Sequence, residues 1–92
     1  MRVIRAALSG PCDGPDQEGA LALVSDLIWA HTPAVHGLEH LRAKAADDGV
    51  HVYLFLRAAS EAAALTQARA ILAGARAPLR AHGYRTTTEP HR

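Results

Sequence analysis

Residues 44–57, Lys-Ala-Ala-Asp-Asp-Gly-Val-His-Val-Tyr-Leu-Phe-Leu-Arg, alternate apolar with polar or aromatic side chains on both sides of an Asp-Gly pair. Alternation of period two is the mark of a half-buried strand, and two such runs joined by Asp-Gly read as a hairpin. With Asp48-Gly49 as a two-residue turn and the glycine supplying positive φ, Ala45 faces Val52, Ala43 faces Leu54 and Leu41 faces Leu56. The interleaved pairs are Lys44 with Tyr53, Arg42 with Phe55 and His40 with Arg57. A longer loop changes the partners but keeps both faces, because the side-chain period is two. One face is apolar (Leu41, Ala43, Ala45, Val50, Val52, Leu54, Leu56) and the other is basic and aromatic. Residues 37–46 carry a competing helical spacing at Leu38, Leu41, Arg42 and Ala45, and the hairpin pairing decides for a strand.

Working outward, Arg2 to Ser9 form a short apolar run ended by Gly10-Pro11, which suits a central first strand. Pro15 fits the first turn of a helix, with Asp16 and Glu18 favourable to its dipole. Ala20, Leu21, Val24, Leu27, Ile28 and His31 then recur on one helical face until Pro33 stops it near Thr32. Beyond the hairpin, Ser60 caps a second helix whose stripe is Ala64, Leu65, Ala68, Ile71, Leu72 and Ala75. Pro78 is expected to end that helix, and Tyr84 to Thr88 has the propensity of an edge strand.

Strand-helix-strand-strand-helix-strand is the order of the ferredoxin-like βαββαβ sandwich. The expectation is therefore an α+β, two-layer fold with one antiparallel four-stranded sheet and two helices on one face. It spans residues 1–92 as a single domain, with 89–92 as a flexible tail. At this length folding buries roughly 60–65% of the unfolded surface, so stability is modest and a partner can add to it.

Composition excludes several function classes. The single cysteine, Cys12, excludes an internal disulfide framework, and no apolar run approaches the roughly 18 residues of a membrane span. The start of the chain lacks the pattern of a secretory signal, which points to the cytoplasm. Net charge is +1, so affinity for anions must come from the placement of charge, not its sum. Twenty alanines, nine arginines against one lysine and no asparagine reflect GC-rich coding of the kind found in actinobacteria.

The open sheet face is the expected working surface. It carries His40, Arg42, Lys44, His51, Tyr53, Phe55 and Arg57, joined by Arg5 if Ile4, Ala6 and Leu8 point to the core. The leading expectation is a binding or accessory module that self-associates through this face as a homodimer, burying the two rings. A small molecule or a protein is the other partner considered. The length and element order also resemble the dimeric α+β barrel proteins, which include cofactor-free monooxygenases, polyketide cyclases and isomerases. That resemblance implies a proton-transfer role, for which His51 and Tyr53 are the candidates.

Single-stranded nucleic acid ranks third. RNA-recognition domains place stacking aromatics on the third strand, which Tyr53 and Phe55 imitate, but Val50 to Arg57 lacks that family's glycine and opening basic-Gly pair. The first strand also offers no ring. Of six histidines, His31, His36 and His40 are spaced by five and four, but on a strand the last two lie about 13 Å apart, so no metal site and no cofactor is expected. Cys12 sits near a helix start beside Asp13 and Asp16, which oppose a lowered thiol pKa. Acylphosphatase and the heavy-metal chaperones share the element order, but this chain has neither asparagine nor a Cys-x-x-Cys pair.

Overall fold

The computed structural model describes residues 1–11, 17–47 and 49–87. Cys12, Pro15, Asp16, Asp48 and the 89–92 tail, all singled out above, lie outside the described residues. The elements are β1 (Arg2–Ser9), α1 (Gln17–Ala30), a 3-10 turn (Ala34–His36), β2 (Leu38–Ala46), β3 (Gly49–Leu56), α2 (Glu61–Ala81) and β4 (Arg85–Thr86). They form the expected α+β arrangement, a four-stranded antiparallel sheet with two helices, and the strand order is β2-β3-β1-β4.

The core follows from parity. Ile4, Ala6 and Leu8 of β1 and Val50, Val52, Leu54 and Leu56 of β3 alternate onto one side of the sheet, where all are buried. The helices meet that side. Val24 and Ile28 come from α1, which packs on β2, and Ala64, Ala68, Ile71, Leu72, Ala75 and Leu79 come from α2, which packs on β1, β3 and β4. Burying a Val, Leu or Ile is worth about 1.5–3 kcal/mol, so this one cluster supplies the main drive to fold. Ser60 caps α2 as expected, its Oγ accepting from the Ala63 amide at 3.1 Å.

The hairpin register differs from the expected one. Ala46 pairs with Gly49, so the connection is residues 47–48, and the partners become Ala45–Val50, Ala43–Val52 and Leu41–Leu54. On the outer side Lys44 meets His51, Arg42 meets Tyr53 and His40 meets Phe55. Moving the turn by one residue shifts every partner by two, which preserves both faces. Gly49 does not have positive φ. It is glycine because β1 passes so close that a Cβ there would run into the Leu8 carbonyl.

The helical spacing within 38–42 also has a structural cause. Leu38 pairs with Leu56 and His40 with Phe55, so Glu39 is the extra residue of a β-bulge at the start of an edge strand. The bulge lets Leu38 and Leu41, three apart, face the same core. Gly37 closes the 3-10 turn in the left-handed region at φ 70°, and its carbonyl accepts from the Arg57 amide at 2.9 Å. Gln67 of α2 ties this corner down, with Nε2 donating to the carbonyls of His36 at 2.6 Å and Arg57 at 3.1 Å.

Three other expectations are corrected. Helix α2 continues through Pro78 to Ala81, because Leu79 extends the buried stripe and its burial offsets the hydrogen bond that proline removes. Tyr84 is not a strand residue but a core one, 2% exposed, with its hydroxyl donating to the Pro11 carbonyl at 2.6 Å. Ala45, expected in the core, is exposed on the edge strand near the turn.

The two glycines of contrasting setting provide a test. Gly49→Ala should cost about 1–3 kcal/mol in urea unfolding, since rigid backbone must give way. Gly19→Ala, on the exposed side of α1 with nothing within 4 Å of the added methyl, should gain about 0.5–1 kcal/mol. Equal midpoints for the two variants would contradict the close approach of β1 to Gly49.

Candidate functional site

Parity that buries one set of side chains delivers the other to the opposite face. Because β3 lies between β1 and β2, its three outward residues each sit in a row that crosses three strands. The rows are Val3–Phe55–His40, Arg5–Tyr53–Arg42 and Ala7–His51–Lys44. Seven of the eight nominated binding residues therefore share this face, including the two proton-transfer candidates, His51 and Tyr53. The eighth, Arg57, lies beyond the end of β3, where its guanidinium approaches the bulge residue Glu39 at 4.0 Å. Both partners of that pair are substantially exposed, which makes it worth little to stability.

Within the grid the rings and cations are neighbours. The His40 and Phe55 ring centroids are 5.2 Å apart with their planes tilted by 54°, an offset contact of the kind aromatic quadrupoles favour. Lys44 Nζ lies 5.9 Å from the Tyr53 ring centroid, within reach of a cation–π attraction. Tyr53, Phe55 and His51 are half-buried, whereas Arg5, Arg42, Lys44 and His40 are exposed. The nine grid positions hold three permanent cations and no carboxylate.

One corner of the face is apolar. Met1 is 77% exposed and Val3 42% exposed, and Val3 pairs with Phe55. Val3 and Ala7 were not nominated from the sequence, since short apolar residues on a first strand carry no distinctive signal. Among the described residues, the other large exposed apolar side chains, Trp29 and Val35, lie at the end of α1 and in the 3-10 turn. His31 is also exposed there, its ring Nδ1 donating to the Leu27 carbonyl at 2.8 Å.

The structure brings together a second group that went unnoticed in the sequence. Arg76 and Arg80 of α2 and Arg85 and Thr86 of β4 line a cavity of about 350 Å³ where helix and edge strand meet. The spacing of Arg76 and Arg80 by four was visible, but Arg85 joins them only through the turn at 82–84. That turn is held by hydrogen bonds from the Gly83 amide to Arg80 and the Tyr84 amide to Leu79.

Among the described residues, no three or more His, Cys, Asp or Glu side chains gather to hold a metal, and no helix is long and apolar enough to cross a membrane. Comparison with known proteins finds no matching family model, no matching curated protein and no matching solved structure.

The two faces of the sheet should separate in their energetics. Arg42→Ser combined with Lys44→Ser should change stability by no more than about 0.5 kcal/mol, as exposed substitutions do. Leu54→Ala should cost about 2–5 kcal/mol through the cavity it leaves. Thermal unfolding of the two variants measures the contrast, and a comparable loss from the double serine variant would mean that the outer face holds the fold together.

Proposed function

We propose that this chain is a ferredoxin-like sandwich that acts as a binding module, without chemistry of its own. Its open sheet face takes a flexible polyanion that carries flat groups, and single-stranded nucleic acid is the chemical class that supplies both features. The strand order β2-β3-β1-β4, with both helices packed on one side, supports the fold assignment. A cytoplasmic setting, suggested by cysteine usage, belongs to the same proposal.

One observation carries the binding reading. Tyr53 stands at the centre of the face between Arg5 and Arg42, with Phe55 next along the strand and no carboxylate at any of the nine positions. Aromatic platforms bind bases at about 1–3 kcal/mol each, and flanking cations track the phosphates. Both rings lie on β3, which makes a short platform of roughly two bases.

This ranking departs from the homodimer expected from the sequence. Two copies packed face to face would set the grid's three cations against three, and none of the nine positions supplies a carboxylate to offset that repulsion. A second copy remains the alternative because of the exposed corner formed by Met1, Val3 and Phe55, on which an offset dimer would rest. The cofactor-free enzyme reading ranks lower still. It requires His51 and Tyr53 to be enclosed between two copies, and hence the same opposition of cations.

Fluorescence anisotropy with a labelled oligothymidine of roughly twenty nucleotides tests the proposal. Binding is expected at about 50 mM salt, with log K falling against log salt at a slope near −2 for three phosphate contacts. Phe55→Ala should weaken it by about 1–3 kcal/mol, and Arg42→Ser should flatten the salt slope. No binding at low salt, or binding indifferent to both substitutions, refutes the proposal. In light scattering, a dimer that Phe55→Arg converts to a monomer would favour the second copy instead.

A further inference from the structure

Arg76 and Arg80 lie one turn apart on α2 and so share a helix face, where like charges four residues apart repel. Arg80 has a local justification, since a cation in the last turn complements the helix dipole. Arg76 and Arg85 have none. Yet the chain brings Arg85 and Thr86 against the same space, so that they line an open cavity of about 350 Å³ with the two helical arginines. Among the described residues, no carboxylate pairs with any of the three arginines.

The scaffold beneath this cluster is anchored. Leu79, between the two helical arginines, is buried, and buried Tyr84 immediately precedes Arg85. Tyr84 is held through its hydroxyl to Pro11, and Arg85 and Thr86 pair with Ser9 and Leu8 of β1. The backbones that carry the three guanidiniums are therefore fixed relative to one another, although the side chains themselves are exposed.

Among the described lining residues, the charged side chains are all of one sign. Each guanidinium offers five N–H donors in a planar fork and no acceptor, and the Thr86 hydroxyl adds a further donor. The complement is a ligand rich in acceptor oxygens with more than one negative charge. The cavity is at the lower end of small-molecule site volumes and larger than one tetrahedral anion needs. We propose that the cavity between α2 and β4 is an anion site for the diphosphate group of a small molecule. It shares no residue with the nine-position sheet face and stands whether or not that face binds nucleic acid.

Isothermal titration of the full chain with inorganic pyrophosphate, orthophosphate and adenosine diphosphate tests this. Pyrophosphate is expected to bind at least about tenfold more tightly than orthophosphate, because it engages more than one fork. Arg80→Ser and Arg85→Ser should each weaken it about tenfold or more, and Arg80→Lys should restore it only in part, since lysine keeps the charge but not the fork. The sheet-face variant carrying Arg42→Ser and Lys44→Ser should bind pyrophosphate as the parent does. Tighter binding of the nucleotide would mark a diphosphate ester as the source, and equal binding would mark the inorganic group. No binding of pyrophosphate, equal affinity for orthophosphate, or loss only in the sheet-face variant would overturn the proposal. The three arginines are exposed, so these substitutions should leave the melting temperature nearly unchanged and affinity can be compared between folded chains.

Discussion

The burial of one side of β3 is the constraint from which the rest of the structure follows. Val50, Val52, Leu54 and Leu56 are each 0% exposed, and their strand is paired on both sides, with β1 and with β2. A one-residue slip in either pairing would turn the apolar set outward, so the hydrophobic drive specifies the parity of three strands at once. Both helices then have one place to bury their stripes, on that same side. His51, Tyr53 and Phe55 have one place to go as well, onto the opposite face.

The function proposed for that face is a by-product of the same parity. A net charge of +1 conceals a local concentration, in which the nine described grid positions hold three cations and no carboxylate. Where charge is gathered decides what a small domain attracts, more than the total does. Rings beside those cations add a contact that is indifferent to sequence and insensitive to salt, complementing an electrostatic contact that salt weakens. The arginines at the α2–β4 junction are a second concentration of charge, presented as a cavity and not as a platform.

Local pattern made some of this legible and long-range contact hid the rest. The limits of β1, the Ser60 cap and the two faces of the hairpin can be read from period and propensity alone, since each depends on neighbours in the chain. The turn was misplaced by one residue because Asp48-Gly49 has good turn chemistry, whereas Gly49 answers to the backbone of β1, some forty residues earlier. The helix-like spacing of Leu38 and Leu41 is the imprint of the bulge at Glu39. Tyr84 and Gln67 carry no periodic signal at all. Each is explained by a partner distant in sequence, Pro11 for the tyrosine and His36 for the glutamine. Seven of the eight residues read from the alternation do share one sheet face, whereas Arg57 lies beyond the end of β3 and the arginine cavity depends on the turn after α2.

The most direct test of a sheet whose two sides do different work is to map a bound ligand onto the structure, by following backbone amide resonances during titration with an oligothymidine. Shifts concentrated at Arg5, Arg42, Lys44, Tyr53 and Phe55, with the outward sides of α1 and α2 silent, are the expected result. Shifts centred on the helices, or none anywhere at saturating oligonucleotide, would contradict the assignment of the open face as the working surface.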